Sequence, residues 1–401
     1  MTEKLYDSDP YRKVFNSRVT SASRTSDGRF DIVLESTLFF PEEGGQTCDR
    51  GTLEINNHIF NVSSVIIEED TIHHLLSPDE KAADLPVPGD RARGEIDFNH
   101  RYSNMQNHTG EHIFSGIVHK KFGYDNVGFH LSDNEVTMDY NGTLSDSDAA
   151  YVEAEVNRVI RSCIPVVCRY PSEEELSDMD YRSKKEIEGP VRIVTIEGVD
   201  VCACCAPHVK NTAEVGLLKV LSRRNYKGGT RLSILCGMRA VSDYIQCRQE
   251  LSDISHLIKR PAAEAFEFLS RLMEERDSLK YEIKQMSGKL LFMEAEKAAS
   301  KDKNVFIFFE NETDPDAARE CVNKMCEKSS RLFGIFWKTE NTAMSWRYII
   351  GRSSSSDDAR EACSLLKKTF GAKGGGSASM VQGNVNASEK DIKKCLDQLL
   401  N

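Results

Sequence analysis

Hydrophobic residues alternate or cluster in short runs over the first part of this chain of 401 residues, a pattern that indicates β-strands. Up to about residue 95, runs such as RFDIVLES and TIHHLLS are rich in β-forming residues and are separated by Gly, Asn and Asp. The pattern predicts a small all-β domain at 1–95. The segment 77–90, rich in proline, aspartate and small residues, is predicted to be a connecting segment.

The region 96–240 mixes helical and strand patterns. Apolar residues recur at near-helical intervals from Phe98 to about Gly123 without a proline, and this spacing predicts one helix. A second helix is predicted at 148–162. Strand patterns lie at 135–140, 164–170, 191–196, 215–222 and 230–237. This alternation is typical of an α+β domain.

A long helical region is predicted at 241–301. Pro261 is expected in the first turn of a helix that carries apolar residues at alternating intervals of three and four. One position of this seam, Arg276, is not apolar. The seam comprises Ala262, Ala265, Leu269, Leu272, Arg276, Leu279, Ile283, Met286, Leu290 and Met293. Such spacing is typical of a coiled coil or helical hairpin, so 262–293 could form a homodimer or pack on its own domain.

The region 302–401 is predicted to be a compact α/β domain. Strand patterns at 304–310, 331–338 and 346–352 are interleaved with helical patterns at 316–328, 358–370 and 389–400. The segment GAKGGGSASMVQG, residues 371–383, is interpreted as a glycine-rich loop.

Charge and composition indicate a globular protein that does not bind nucleic acid through bulk electrostatics. The net charge is −11, but residues 301–401 contain 16 Lys and Arg against 14 Asp and Glu. Any RNA contact is therefore expected in local basic patches, above all in the C-terminal quarter. The N-terminus lacks a secretory signal, and no apolar run approaches the roughly 20 residues of a membrane span. A cytoplasmic location is therefore expected, with the 12 cysteines as thiols or metal ligands.

Two short motifs predict a metal site. His108 and His112, four apart on the predicted helix, project from one face and can share an ion. Cys204 and His208 repeat this spacing in VCACCAPHVKNT, where Pro207 permits a tight turn. One thiolate and three imidazoles are a ligand set suited to Zn²⁺. Cys202 and Cys205 are rival ligands, and the alternative is that VCACC only fills a core.

The same residues resemble a known family. HTGEH, followed at a distance by CCAPHVKNTAEVGLLKVLS and KGGTRLSILCG, is similar to the editing domain of alanyl-tRNA synthetase and of the free-standing alanyl-tRNA editing proteins. FFPEEGGQTCDRG at 39–51 resembles the signature of the family's N-terminal barrel, and VGFHLSDNEVTMDY at 127–140 the strand lining its pocket. The glycine-rich segment resembles the domain that closes alanyl-tRNA synthetase and the long-form editing proteins.

This resemblance implies an α+β multidomain fold. It would comprise an N-terminal small β-barrel at 1–95, a zinc-containing editing domain at 96–240, a helical coiled-coil linker at 241–301 and a C-terminal α/β glycine-rich domain at 302–401. The resemblance also implies that His108, His112, Cys204 and His208 hold zinc.

The chain departs from the family pattern at three places. The family's Cys-Gly-Gly-Thr-His is here Cys204-Cys205-Ala206-Pro207-His208, which removes backbone freedom and a hydroxyl group near the metal. Glu43 interrupts the usual run of glycines after Pro-Glu. Glu111 stands where relatives often carry a neutral residue. These departures concern the fine structure of the pocket, because all four ligand positions are retained.

The implied activity is hydrolysis of mischarged tRNA(Ala), chiefly Ser-tRNA(Ala) and also Gly-tRNA(Ala). Gln106 and Thr109 are candidates to contact the serine hydroxyl or the terminal ribose, although Thr109 could equally bond to its own helix. Phe129 and His130 are candidates for the pocket wall, with a core histidine as the alternative for His130. Thr109 and Glu111 are weak candidates for catalysis, and no general base is identified.

The four-ligand zinc leaves three functions open. A closed tetrahedral set is typical of structural zinc, whereas hydrolytic zinc usually keeps an open position. HTGEH also matches the H-x-x-E-H pattern of inverted zinc proteases, in which Glu111 would be the base. A third hypothesis is a non-catalytic tRNA-binding or dimer-forming protein clamped by zinc.

Lys373 and the glycines Gly374, Gly375 and Gly376 are the predicted tRNA contacts of the C-terminal domain. Backbone amides of a glycine-lined loop can cradle an RNA phosphate, and the lysine adds charge. The alternatives are a close-packed turn and a dimer contact.

Overall fold

A computed structural model describes residues 1–77, 84–183, 189–298, 303–310, 313–328, 331–338, 344–353 and 357–400. The chain forms two compact units, Met1–Asp253 and Ile254–Asn401. Within the described residues, none of the helices is both long enough and apolar enough to span a membrane.

The N-terminal part of the first unit is a closed six-stranded barrel. Its strands pair in the order β2–β3–β7–β6–β5–β8, and β8 closes on β2. The elements of this part are β1 (Glu3–Lys4), α1 (Leu5–Ser8), β2 (Val14–Arg24), β3 (Phe30–Leu34), β4 (Ser36–Thr37), β5 (Gly51–Ile55), β6 (His58–Glu68), β7 (Thr71–Ser77) and β8 (Arg91–Ile96). Large aromatic residues such as Phe15, Phe30 and Phe60 are buried in its core.

The rest of the first unit contains two antiparallel sheets and three long helices, the last of which continues past Asp253 into the second unit. The sheets have the strand orders β14–β15–β10–β9 and β11–β12–β13. The elements are α2 (Phe98–Phe122), β9 (Asn126–Leu131), β10 (Val136–Tyr140), α3 (Asp146–Arg161), β11 (Val166–Arg169), α4 (Glu173–Ser177), β12 (Ile193–Ile196), β13 (Asp200–Ala203), β14 (Leu218–Tyr226), β15 (Gly229–Cys236) and α5 (Gly237–Ile258), with a 3-10 turn at Thr212–Val215. Helix α2 is central, and 15 of its residues are buried.

The barrel is joined to α2 by a buried ion pair. Arg101 and Asp49 are both fully buried, and the Arg101 Nε lies 3.0 Å from each Asp49 carboxylate oxygen. Arg101 also donates to the backbone oxygens of Leu38 and Pro10, and Asp49 accepts from the Phe40 amide. Because every charge of this pair is compensated, the loop before β5 is held firmly against α2.

The second unit is a five-stranded sheet with helices on both faces, in the order β16–β17–β18–β20–β19. Its elements are α6 (Ala265–Ala298), β16 (Val305–Phe309), α7 (Pro315–Lys328), β17 (Leu332–Lys338), β18 (Ser345–Arg352), α8 (Ala359–Phe370), β19 (Lys373–Gly376), β20 (Met380–Asn386) and α9 (Glu389–Leu396), with 3-10 turns at Ala262–Glu264 and Asp397–Leu400. Helices α6 and α7 pack on one face, and α8 and α9 on the other. The α+β multidomain character and the barrel expected from the sequence are confirmed.

The prediction of a glycine-rich loop at 371–383 is wrong, because part of this segment is a β-strand. Residues Lys373–Gly376 form the edge strand β19, which pairs antiparallel with β20. The physical reason is close packing, because a Cβ on Gly374 or Gly383 would lie 2.5 Å or 2.6 Å from Tyr348 Oη. Glycine marks a narrow approach between strands here, whereas its run in the sequence predicts a turn.

The apolar seam of α6 is exposed on this chain. The seam residues Ile283 and Met286 are 62% and 64% exposed. The buried residues of α6 are Ala265, which belongs to the seam, and Leu291 and Ala295, which lie outside it and pack in the cluster that includes α7. Pairing of the seam with a second copy therefore stays a prediction. The proposed boundaries between the four domains also stay predictions, and residue 95 falls inside β8.

Candidate metal centre

The structure brings His108, His112, Cys204 and His208 together. Two neighbouring turns of α2 supply the first two, and the segment after β13 supplies the others. One potential ligand atom from each residue lies within 4.8 Å of the other three. The three histidines are each 1% exposed, and their ring centroids are 4.7–5.4 Å apart.

The Cys204 sulphur lies at the meeting point of the imidazole rings. Its Sγ is 3.6 Å from His108 Nε2 and 3.4 Å from His208 Nε2. His112 Nε2 is buried and has no hydrogen-bond partner among the described residues. A buried nitrogen without a partner is costly, and a cation between it and the sulphur would satisfy it. The donor set therefore fits a metal ion.

The opposite nitrogen of each ring is held by a hydrogen bond. His108 Nδ1 donates to Gln46 Oε1 at 2.8 Å, and His112 Nδ1 donates to Asp200 Oδ2 at 3.0 Å. His208 Nδ1 is bonded to Thr109 Oγ1 at 3.0 Å. These partners fix the orientation of the rings and direct the Nε2 atoms toward one point, as partners of metal-binding histidines commonly do.

Electrostatics match the protonation that a metal requires at two of the four residues, Cys204 and His208. Burial opposes ionisation of Cys204, but His108 and His208 overcome it and hold the pKa of the thiol well below its ordinary value. Burial lowers the pKa of His208 to about 3, which keeps this ring neutral. The site therefore offers a thiolate and a neutral imidazole, the forms that bind Zn²⁺.

Asp200 connects the centre to a second charged group. Arg182 donates to both of its oxygens, at 2.8 Å and 3.0 Å. Burial would raise the pKa of Asp200, but His112 and Arg182 lower it, so the carboxylate remains charged. Asp200, His112 and Cys202 form a second group with metal-ligand spacing, which shares His112 with the first.

Three residues of this environment were not predicted from the sequence. Gln46 comes from the barrel signature, Asp200 begins β13, and Arg182 lies between α4 and β12. The only signals for them in the sequence were polar residues, within FFPEEGGQTCDRG and before VCACC. Cys202, a rival ligand in the sequence, belongs to the second group, and the thiol of Cys205 lies near Glu43.

The predicted substrate contacts on α2 are engaged with the protein itself. Thr109 is fully buried, and besides His208 its Oγ1 accepts from the Val209 amide. Gln106 Nε2 donates to the Glu214 backbone oxygen at 2.7 Å. Two residues before His108, it projects from the opposite side of α2. The structure thus places Thr109 at the centre and Gln106 away from it.

Strand β9 supplies one wall of the centre. The Phe129 ring centroid lies 4.7 Å from that of His108. An irregularity in the pairing of β9 with β10, near Val127, lets Phe129 and Asn126 both face α2. His130, next to Phe129, is exposed and projects to the other face of the strand.

Glu111 belongs to a buried network beside the centre. Its Oε1 accepts from Ser115 Oγ and Asn126 Nδ2, both at 2.6 Å, and Ser115 Oγ is 2.8 Å from Tyr140 Oη. Its Oε2 is 3.9 Å from His112 Nε2. The carboxylate is therefore anchored to the sheet on one side and near a candidate ligand on the other.

Comparisons with known proteins agree with this geometry. Residues 191–233, which include Cys204 and His208, match the family described as threonyl and alanyl tRNA synthetase second additional domain. The chain is thus of the class that carries this synthetase-type domain beside a barrel.

Individual relatives match longer parts of the chain than the family model does. The alanyl-tRNA editing protein AlaX-M of Methanosarcina barkeri is 35% identical over 235 residues, which cover 56% of this chain and 94% of that protein. AlaX-L of Pyrococcus horikoshii is 28% identical over 98% of this chain and 96% of its own length. The alanine–tRNA ligase of Ignicoccus hospitalis is 25% identical over 98% of this chain, which spans 42% of the ligase. The chain belongs to the alanyl-tRNA editing protein family.

Proposed function

We propose that this chain, an aminoacyl-tRNA deacylase by family, hydrolyses the ester of mischarged tRNA(Ala), chiefly Ser-tRNA(Ala) and secondly Gly-tRNA(Ala). The observation that carries the proposal is the convergence of His108, His112, Cys204 and His208 beside the barrel loop and β9. We therefore place ester hydrolysis in the domain that contains this centre, and not in the barrel or in the helical linker.

The need for such an enzyme follows from the limits of binding selectivity. A synthetase pocket made for alanine discriminates against a residue that differs by one small group by only about 1–3 kcal/mol. A second, hydrolytic site raises fidelity by removing the products of such errors. Specificity at this site must therefore recognise the amino acid side chain, and the serine hydroxyl is its distinguishing group.

Zinc is the metal that we assign to the centre. The chemistry it supplies when bound is a fixed positive charge at the site where the aminoacyl ester would be held. Gln46, Asp200 and Thr109 orient the three imidazoles, and Phe129 excludes water from one side. Since the aminoacyl ester is already activated, positioning by these residues contributes much of what hydrolysis needs.

The second unit is proposed to bind a part of the tRNA other than the acceptor end, which carries the ester. A groove of about 320 Å³ lies on the sheet face beside β19 and is lined by Arg347, Gly374, Gly375, Gln382 and Asn384, among others. Lys373 and Arg347 are exposed, and the Cβ position of Gly375 faces open space. Cations beside a flat glycine strand favour contact with a phosphate backbone. A second attachment point would raise the effective concentration of the ester at the metal centre.

The test measures deacylation of Ser-, Gly- and Ala-tRNA(Ala) by the wild type and by Cys204→Ala, with metal content determined for both. The expected result is turnover of Ser-tRNA(Ala) that is lost with the zinc in the variant. Cys163→Ala is a matched control, because Cys163 is exposed and outside the centre. Equal release from all three substrates, or none from any, would contradict the proposal.

A zinc-clamped tRNA-binding protein without turnover is the second candidate. The specific observation in its favour is the complete set of four protein ligands, which is typical of structural zinc. This candidate predicts tRNA binding by the wild type but no deacylation.

The H-x-x-E-H protease hypothesis is tested through Glu111. A protease base must act on water at the metal, whereas Glu111 Oε1 is bonded to Ser115 and Asn126. Glu111→Gln should leave most deacylation intact, and a protease would lose its activity.

A further inference from the structure

Glu43 carries an uncompensated carboxylate at the edge of the metal centre. It begins a tight turn in which the Gln46 amide donates to the Glu43 backbone oxygen at 3.0 Å, with Gly44 and Gly45 at φ 62° and 80°. The turn requires these positive φ values, which glycine adopts without strain. Its last residue, Gln46, holds His108, so the position of Glu43 is fixed relative to the ligands.

A second contact fixes Glu43 from the other side of the centre. The Glu43 carboxylate lies near the Cys205 thiol, and Cys205 directly follows the ligand Cys204. The Gly44 Cβ position is 3.5 Å from Cys205 Sγ, an ordinary van der Waals contact, so the turn lies against Cys205. Glu43 is not part of the four-residue ligand group; Gln46 and Cys205 connect it to the ligands His108 and Cys204. Glu43 and Cys205 are also two of the positions at which the chain departs from the family pattern.

The Glu43 carboxylate lacks a cationic partner among the described residues. Its Oε2 is buried without a hydrogen bond, and among the described residues no Lys, Arg or His forms an ion pair with it. The hydroxyl of Tyr6, close enough to sense the charge of Glu43, is likewise buried and unbonded. The residue as a whole is partly exposed, whereas its Oε2 is buried. A desolvated carboxylate is stable only when a cation or several donors compensate it.

We infer that Glu43 binds the α-ammonium group of the aminoacyl ester. This inference rests on the proposed function and names one contact within it. An aminoacyl ester carries a single positive charge, one carbon from the carbonyl that is hydrolysed. An ammonium group has three N–H donors, and Glu43 together with the Tyr6 hydroxyl oxygen supplies acceptors for them. Every α-amino acid has this group, so Glu43 positions the ester and does not select serine over glycine.

The experiment compares Ser-tRNA(Ala) with its α-hydroxy analogue, in which a hydroxyl group of nearly the same size replaces the ammonium. Each enzymatic kcat/KM is divided by the uncatalysed hydrolysis rate of the same ester, because loss of the ammonium itself slows hydrolysis. The full-length wild type should prefer the ammonium ester roughly 10- to 100-fold, the range for a hydrogen bond to a charged group. Glu43→Gln, which keeps shape but removes charge, should lose most of this preference through slower cleavage of the ammonium ester alone.

Glu42→Gln is the matched control, because Glu42 is the adjacent glutamate and its side chain is exposed. It should retain the wild-type preference. If Glu43→Gln slows both esters by the same factor, Glu43 acts on the attacking water or on the fold, and the inference is overturned. Zinc content and thermal unfolding of Glu43→Gln separate these two causes. The inference is also overturned if Glu43→Gln cleaves both esters like the wild type. A wild type that cleaves neither ester would overturn the proposed function together with this inference.

Discussion

Asp200 Oδ2 lies 3.0 Å from His112 Nδ1 and sets which nitrogen of that ring faces the other three ligand residues. The same carboxylate is held by Arg182, so the orientation of His112 depends on a chain of two charged contacts. Arg182, Asp200 and His112 thus form a support behind the centre. Such partners of metal-binding histidines contribute to affinity almost as directly as the ligands.

Replacement of Asp200 by Asn should weaken zinc binding by about 10- to 100-fold, because the neutral amide holds His112 less firmly and no longer strengthens its basicity. Competition with a chromophoric chelator measures the change. Asp125→Asn is the control, since Asp125 makes the same contact with an exposed histidine, His119, on the same helix at 2.8 Å. Equal zinc affinities for Asp200→Asn and the wild type would show that His112 is oriented by packing.

Zinc binding should release about one proton near neutral pH. Despite burial, Cys202, the hydrogen bond to Asp200 and the Cys204 thiolate raise the pKa of His112 well above its ordinary value. In the metal-free protein this ring is therefore protonated, whereas the lowered pKa of Cys204 leaves the sulphur as thiolate. The metal displaces the proton of His112 and none from Cys204, so affinity should rise as pH is raised toward the pKa of His112. Calorimetry in buffers of different ionisation enthalpy counts the protons, and a count of two would mean that Cys204 is a neutral thiol before the metal binds.

The junction between barrel and α2 should be sensitive to loss of one charge. Arg101→Met leaves the fully buried Asp49 without its partner, and we expect a loss of about 3–5 kcal/mol in the free energy of unfolding. Urea unfolding followed by fluorescence measures it. Arg158→Met, which removes an arginine from an exposed ion pair with Glu155 on α3, should leave the midpoint unchanged. An unchanged midpoint for Arg101→Met would mean that the ion pair makes no net contribution to the free energy of unfolding.

Local patterns account for what the sequence predicts well. The helix at 98–123 ends where the structure ends α2, at Gly123 with φ 71°, because its apolar spacing and its glycine are both local signals. The convergence of HTGEH with CCAPH follows from ligand chemistry and family resemblance. Strands β2 and β8 were missed, since VFNSRVTSASR and RARGEI carry many Ser, Thr and Arg on their outer face. Only closure of the barrel shows that these polar runs are strands.

Residues that orient the metal-binding histidines could not be predicted from the sequence. Gln46 lies 62 positions from His108, and Asp200 lies 88 from His112, so no spacing rule connects either pair. Thr109 and Gln106 were predicted to contact substrate because they neighbour a ligand in sequence. In the structure Thr109 is bonded to His208 and Gln106 to the Glu214 backbone, because helical geometry separates residues that are adjacent in sequence. Contact of either residue with the substrate stays a prediction.

Variants of two adjacent glycines of β19 can distinguish a role in sheet packing from a role in tRNA contact. A Cβ on Gly374 would lie 2.5 Å from Tyr348 Oη and 2.6 Å from the Gln382 oxygen, whereas a Cβ on Gly375 meets nothing within 4 Å. Gly374→Ala should therefore destabilise the second unit by about 1–3 kcal/mol, the usual cost of overpacking. Gly375→Ala should leave the unfolding midpoint unchanged and weaken tRNA binding, because its methyl group enters the groove beside Arg347.

Thermal unfolding and tRNA affinity, measured on both variants, decide between these roles. Arg347→Ala provides the comparison for charge, since its exposed side chain lines the same groove. If the groove binds the phosphate backbone, Arg347→Ala should weaken binding uniformly across tRNA sequences and flatten its salt dependence by about one unit of slope. If Gly375→Ala and Arg347→Ala both bind tRNA like the wild type, the glycines of β19 serve the packing of the sheet, and the tRNA contact of the second unit lies elsewhere.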